Sequence, residues 1–343
     1  MAFSIQNRRY TGCKMKLTEW IKNLIKEHCH NCHSFCDIFA GTGVVSASLI
    51  NEFNEIHIND FLFSNEVIFK AFFLEESYSE EVLYRFYNNV ISIDNAELQD
   101  NYVSLNYGGN FFSYHDALII GEIRQRIEDI RNDINEKEYS ILLASLLFSA
   151  DRVANTCGHY DAYIKKENIR SNFKFELIEP IIKNAKGNIR TFITREDANV
   201  LGRNIVCDVV YLDPPYSSRQ YSRFYHVLEV LTKWNNPILS GEAHKPPEEN
   251  MSEYCKSKAI DAFKSLIYGL NCRYIVVSYN NTYNSKSSSS KNKMTLEEIN
   301  DALNNIGRTE VFHHEHKAFN AGKTELDNHE EILFITTVGE QND

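Results

Sequence analysis

Apolar residues near the start of the chain follow first a helical and then an extended period. Leu17, Trp20, Ile21, Leu24 and Ile25 fall at i, i+3, i+4, i+7 and i+8, which predicts a helix with Thr18 as its cap. Residues 35–39 (Phe-Cys-Asp-Ile-Phe) predict a short strand running into Ala40-Gly41-Thr42-Gly43. Helical spacing returns from Val44 to Glu52, and residues 55–59 predict a second strand ending at Asp60. Strand, glycine turn, helix, strand is the opening of a parallel α/β sheet.

From about 65 to 185 the pattern is mainly helical, with a charged helix at 121–134 and an apolar one at 138–155. Extended patterns resume at 189–194, at the β-branched run 205–212 and at 274–279. Residues 309–317 and 331–338 predict an antiparallel pair, and the Ser/Lys/Asn run 284–293 a loop. The expected organisation is one α/β domain split in sequence, 1–64 with 187–343, carrying an inserted helical domain, 65–186.

Composition narrows this reading. A hydrophobic share of 43% is enough for a packed core, which excludes wholesale disorder. No apolar run reaches the roughly 18 residues of a membrane span. The N-terminus shows no apolar signal core, so a cytoplasmic location and free thiols for the eight cysteines are expected. A net charge of −11 argues against a histone-like nucleic-acid binder but not against a nucleic-acid enzyme, because the charge of the binding face decides.

Three motifs carry chemistry. Phe39-Ala40-Gly41-Thr42-Gly43 lets a ligand approach the backbone and fits nucleotide, dinucleotide and S-adenosylmethionine (SAM) sites alike. The longer dinucleotide fingerprint fails at Ser46, where its third glycine would stand, and there is no Walker-type phosphate loop. Asp60, directly after the second strand, can accept hydrogen bonds from ribose hydroxyls. Asp213-Pro214-Pro215-Tyr216 follows a buried strand. Its two prolines stiffen the chain and leave carbonyls without competing N–H donors. A rigid carboxylate and carbonyl beside a Tyr ring suit a planar heterocycle bearing an exocyclic amine.

Together these motifs resemble the amino-group DNA methyltransferases, and more closely the Dam-like, D12-class (alpha-group) adenine N6-methyltransferases of restriction–modification systems. Arg9-Tyr10-Thr11-Gly12-Cys13-Lys14-Met15-Lys16-Leu17 is similar to their N-terminal SAM segment. The order of segment, FxGxG, insertion and DPPY also matches. Residues 212–229, Ser278-Tyr279-Asn280-Asn281 and 150–160 with Lys165 resemble further motifs of one sub-group, with Ser217 replacing the usual Asn. Some members of that group recognise CATG, and a CATG-like target is the corresponding expectation.

The resemblance implies a Rossmann-like SAM-dependent methyltransferase fold with a mixed sheet, an antiparallel C-terminal hairpin and the insertion as target recognition domain. Tyr10, Lys14, Phe39, Ala40, Gly41, Thr42 and Gly43 would contact SAM. Asp60 would hold the ribose, and Asp197, beside Glu196, the adenine amine. In the reaction a duplex adenine is flipped out. Asp213, Pro214, Pro215 and Tyr216 then receive it, with Tyr216 stacking on the ring while Asp213 and the Pro214 carbonyl accept the N6 hydrogens. S-adenosylhomocysteine is the implied product, and no metal is required.

Basic groups for phosphates are Arg8, Arg9, Lys165, Lys166, Arg170, Lys174, Arg219, Arg223 and, in the Ser-rich loop, Lys286, Lys291 and Lys293. Arg152, Asn155, Arg170 and Asn172 are candidates for base edges. Expected partners are duplex DNA and a cognate restriction endonuclease acting independently, with the chain a monomer or weak dimer.

Cys29 and Cys32 have CxxC spacing among His28, His30, His33 and Cys36, but no second ligand pair follows at zinc-site spacing. His313, His314 and His316 read as an ordinary strand, and Cys157 as a filler. Competing readings are an RNA adenine methyltransferase, a catalytically idle SAM-fold nucleic-acid binder and a Rossmann oxidoreductase. Asp213 speaks against protein-glutamine and N4-cytosine enzymes.

Overall fold

The computed structural model describes residues 3–93, 98–183, 189–281, 292–315 and 330–340. The chain divides into two compact units, each assembled from three segments. One consists of Met1–Cys13, Leu62–Gly187 and Tyr221–Glu249, the other of Lys14–Phe61, Asn188–Gln220 and Asn250–Asp343.

The second unit is built on a seven-stranded sheet. Its strands are β1 (Ser34–Asp37), β2 (Glu55–Asn59), β3 (Arg190–Thr194), β4 (Val206–Leu212), β5 (Asn271–Asn280), β6 (Gly307–Glu315) and β7 (Glu330–Val338). The spatial order is β3-β2-β1-β4-β5-β7-β6. The first five run parallel, and β7 pairs antiparallel with both β5 and β6. Parallel strands covered on both faces need near-continuous apolar runs. Val209, Val210, Tyr211 and Leu212 of β4, and Tyr274 to Val277 of β5, supply them and are buried. The main core lies where α8 (Ala198–Asn204), α11 (Ala259–Gly269) and α12 (Leu296–Asn304) pack Leu201, Phe263, Leu266, Ile299 and Leu303 on Cys36, Val210, Ile275, Val277 and Phe334.

Helix α1 spans Thr18–His28 and packs with α2 (Val44–Leu49). Thr18 is the first helical residue rather than the cap: Leu17 holds the cap position, and the Thr18 hydroxyl donates to the Met15 carbonyl at 3.1 Å. The helix after the glycine turn ends at Leu49, short of Glu52, whose carboxylate pairs with Lys22 and Lys26 of α1.

The first unit is helical. It contains α3 (Phe63–Phe73), α4 (Glu80–Ile91), α5 (Tyr102–Tyr107), α6 (Tyr114–Asp129), α7 (Glu136–Val153), the short α9 (Tyr221–Phe224) and α10 (His226–Lys233). Helix α7 is buried almost all round and forms the unit's axis, with α3, α4, α6 and α10 packed on it. Helix α6 begins earlier than the charged run suggests because Ser113 caps it, its Oγ accepting from the Asp116 N–H at 3.0 Å. It stops at Asp129, before Asn135 starts α7 through a capping box with Glu138. Segments 1–13 and 221–249, read from sequence as part of the α/β domain, pack here instead, because α10 buries Val227, Leu228, Val230 and Leu231 in the helical core.

Among the described residues no helix is long and apolar enough to cross a membrane. All eight cysteines are free thiols.

Candidate active site

The sheet order reverses between β1 and β4. Ligands of open α/β sheets sit at the carboxyl ends of the strands flanking such a point. The two chemistry-bearing turns leave those two ends. Asp37 of β1 pairs with Tyr211 of β4, so Phe39–Gly43 and Asp213–Tyr216 emerge side by side.

The glycine turn is shaped by left-handed residues, with Gly41 at φ 55° and Gly43 at φ 75°, where a Cβ is disfavoured. The Gly41 N–H donates to Asp60 Oδ2 at 2.9 Å, joining the turn to the end of β2. Buried Asn59 ties three strand ends together. Its Nδ2 donates to the carbonyls of Ile38 (3.0 Å) and Glu196 (3.1 Å). Its Oδ1 accepts from the Glu196 N–H (2.9 Å) and the Thr194 hydroxyl (2.8 Å).

Asp197 caps α8, its Oδ1 accepting from Asn199 and Val200. Phe39 meets Tyr254 edge-on at 4.9 Å, and the Tyr254 hydroxyl donates to Asn199 Oδ1 at 2.8 Å, so Tyr254 connects the Phe39 turn to the helix that Asp197 caps.

Below the glycine turn lies Asp37, fully buried. Its Oδ2 accepts from the Ser46 hydroxyl at 2.8 Å, and its Oδ1 has no partner among the described residues. Burial pushes this carboxyl up to about 8, against the opposing Ser46 bond.

At the end of β4, Asp213 accepts a short hydrogen bond from the Tyr216 hydroxyl and lies 3.0 Å from the Lys14 ammonium. Lys14 also touches the Tyr216 hydroxyl and lies 2.8 Å from Glu331 of β7. Desolvation raises the Asp213 carboxyl to about 6, with Lys14 opposing and Glu331 adding to the rise. The neighbouring Asp213 and Glu331 charges hold Lys14 above its usual range despite burial, so it stays an ammonium. The Tyr216 ring packs edge-on to Tyr279 at 4.9 Å, and its carbonyl accepts from the Lys293 N–H at 2.8 Å. Pro214 is buried and Pro215 half-buried. Beyond Tyr216, Gln220 and Ser252 exchange hydrogen bonds of 2.9 and 2.7 Å.

Lys14, Ala40, Thr42, Asp60, Asp197 and Asp213 thus lie in the sheet unit with the two turns. Tyr10 belongs to the helical unit, stacked on Tyr225 at 4.6 Å. Asp37, Asn59, Tyr254 and Glu331 were not singled out from sequence. A charged residue inside an apolar strand run is the signal that marks Asp37.

The basic candidates are placed as follows. Arg152 pairs with Glu176 at 2.9 Å, and exposed Lys165 pairs with Glu242 at 2.9 Å. Arg223 donates to the Pro246 carbonyl at 2.6 Å. Arg170 is exposed and Arg219 half-buried. Asn155 is buried, its amide donating to the carbonyls of Asn110 and Ile164 at 2.9 and 2.7 Å, so it braces a loop. Lys286, Lys291 and His316 lie outside the described residues. Around the CxxC segment, Cys32 donates to the His30 carbonyl, and Arg273 donates to the carbonyls of His30 and Asn31. Among the described residues no group of three His, Cys, Asp or Glu is gathered as a metal site.

A mixed α/β sheet with a glycine turn and an acidic Pro-Pro-Tyr turn at its switch point is the layout of a methyl-transferring enzyme. The chain belongs to the D12 class of N6 adenine-specific DNA methyltransferases, whose family pattern it matches over residues 10–294. It is 35% identical over 289 residues to the modification methylase StsI of Streptococcus sanguinis, covering 80% of this chain and 44% of that protein. It is 32% identical to the type II methyltransferase M.CviAII of Paramecium bursaria Chlorella virus 1, covering 96% and 98% of the two chains. Identity to the type II methyltransferase M.NlaIII of Neisseria lactamica is 29%, covering 93% and 95%. The chain therefore spans less than half of the StsI methylase and nearly all of the other two.

Proposed function

We propose that the protein is the modification methyltransferase of a type II restriction system, methylating N6 of an adenine flipped from duplex DNA with SAM as donor. The observation that carries this reading is the Asp213 carboxylate, fixed by Tyr216 and Lys14 at the end of β4 beside the left-handed glycine turn of β1.

The residues present fit SAM. The turn has glycines where a Cβ would be strained, and below it the buried Asp37 Oδ1 is without a partner among the described residues. Phe39, Ala40, Gly41, Thr42 and Gly43 would line it, Asp60 would take the ribose and Asp197 the adenine amine, with Tyr10 and Lys14 from the N-terminal segment. When bound, SAM supplies a methyl group already activated by a sulfonium, so the protein's task is mainly positioning and charge stabilisation.

Tyr216 offers its ring to the extruded base. Asp213 and the Pro214 carbonyl accept the two amine hydrogens, which draws the nitrogen lone pair out of conjugation. The Asp213 carboxylate offsets the positive charge that develops on the amine. The helical unit serves as target recognition domain, with Arg152 and Arg170 as candidates for base edges, and Lys165, Arg219 and Arg223 neutralise phosphates. The protein acts as a monomer or weak dimer in the cytoplasm, protecting host DNA from an endonuclease that works independently.

The test is incubation with methyl-labelled SAM and either unmethylated duplex DNA or total RNA, with Asp213→Ala alongside. N6-methyladenine in DNA, lost in the variant, is expected, and mapping the marks tests the CATG-like target. Label confined to RNA, or SAM binding without transfer, overturns the reading.

A further inference from the structure

Lys14 and the Tyr216 hydroxyl make the same pair of contacts. Both sit on Asp213 Oδ1, and both also lie on Glu331 Oε1, at 2.8 Å for the ammonium and 3.2 Å for the hydroxyl. A third donor, the Ser278 hydroxyl of β5, fixes Glu331 Oε1 at 2.9 Å. The Lys14 and Glu331 side chains are each only 5% exposed. β7 runs antiparallel to β5, so its first residues reach the sheet edge where the parallel strands end, with Glu331 opposite Asn280. A carboxylate there is costly unless it is paired.

Asp213 Oδ1 thus already holds two donors before any substrate amine arrives. An amine N–H can use this oxygen well only if those donors have another acceptor, since a buried ammonium or hydroxyl left unpaired is penalised.

We propose that Glu331 is a positioning residue of methyl transfer: it takes over the Lys14 ammonium and the Tyr216 hydroxyl, releasing Asp213 Oδ1 to the target amine. The inference rests on the methyl-transfer reading above. No covalent bond is made or broken in the exchange: the Tyr216 hydroxyl changes acceptor from Asp213 to Glu331, Lys14 keeps its Glu331 contact and gives up the one to Asp213, and all charges are retained. Ser278 keeps the receiving oxygen in place. With two carboxylates and one ammonium the cluster carries one net negative charge, matched to the positive charge that the amine gains.

The Asp213 carboxyl is the reporter. Lys14, Glu331 and Tyr216 face it directly, and Asp37 of β1, Tyr211 of β4 and Tyr279 of β5 feel its charge. Glu331 raises its pKa. Removing that charge lowers it, and Lys14, left to Asp213 alone, lowers it further.

Single-turnover methylation of duplex DNA is measured across pH for the full-length protein and for Glu331→Gln, Glu331→Met, Lys14→Met and Lys14→Met/Glu331→Met, with SAM affinity by calorimetry and folding by thermal melting. The expected result is a roughly ten- to hundredfold loss of rate in Glu331→Met and a smaller one in Glu331→Gln, of the size seen when one positioned polar group is removed. SAM affinity stays unchanged, the acid limb moves to lower pH, and the penalty shrinks once Lys14 is also removed. A folded Glu331→Gln with wild-type rate and an unmoved acid limb overturns the proposal, as does full additivity in the double variant. Should Glu331→Met not fold, Glu331→Gln and its pH profile decide alone. Wild-type protein that fails to methylate DNA overturns the underlying reading instead.

Discussion

The Ser46 hydroxyl donates to Asp37 Oδ2 at 2.8 Å. Ser46 stands where a dinucleotide fingerprint would place its third glycine, so the departure from that pattern serves a buried carboxyl. Replacing Ser46 by Ala takes the hydroxyl donor from that buried carboxyl and leaves it only the Ser46 backbone hydrogen bond. A loss of about 1–3 kcal/mol is expected, read as a shift of the denaturant midpoint.

Asp37 also makes stability depend on pH. Its folded-state pKa of about 8 is above the ordinary value of 3.8, so the folded state binds the extra proton between these limits. Stability from this group is present at low pH and falls as pH rises toward 8, by at most about 1.4 kcal/mol per unit. Asp37→Asn removes this slope. Comparing the two proteins' denaturation curves at pH 5 and pH 8 isolates it, and parallel pH dependences would contradict the assignment.

On the proposed mechanism Asp213 accepts the amine hydrogens only when ionised. With its carboxyl raised to about 6, that mechanism predicts that kcat/KM falls as pH drops below this value, approaching tenfold per unit. Asp213→Asn loses this limb along with most of the rate. A profile flat down to pH 4.5 in the unmodified protein would refute the role.

Asn59→Ala removes the four side-chain hydrogen bonds that join the ends of β1, β2 and β3. A destabilisation of about 2–4 kcal/mol follows from their typical net worth, together with weaker SAM binding, because Asp60 and the glycine turn are held from the same strand end. Calorimetric melting and SAM titration measure both.

Glu229 ends the Tyr-His-x-Leu-Glu stretch that follows the catalytic turn, yet its work lies inside the helical unit. Its two oxygens accept the N–H groups of Phe63 (3.0 Å) and Ser64 (2.8 Å), capping α3 from α10. Glu229→Ala should cost about 1–2 kcal/mol, as loss of a cap does, and speed proteolysis of the helical unit. Asp213 variants should leave that proteolysis rate unaltered.

Much of the sheet was readable from sequence, because parallel strands buried on both faces leave near-continuous apolar runs such as 205–212 and 274–279, interrupted only by Asp208 and Ser278. The two turns were readable for a related reason: glycines and prolines impose backbone states that few other residues tolerate. Glu331 escaped because acidic residues at a strand start are usually solvent-facing, and only the antiparallel run of β7 brings this one to the buried edge. Segment 221–249 escaped because the apolar stripe of α10 marks a buried helix without naming the core that buries it. Thr18 shows the limit at helix ends, since a hydroxyl one position inside the first turn has the same sequence signature as a cap.

The helical unit is not a contiguous cassette. Helix α10 arrives from beyond the catalytic turn and fills part of the α3 and α7 packing with Val227, Leu228 and Leu231. A hybrid that imports only residues 65–186 from a relative would lay a foreign α3 and α7 against a native α10, and mismatched volumes in such a core cost stability. On the proposal that this unit carries target recognition, an exchange of specificity would require two distant gene segments to travel together.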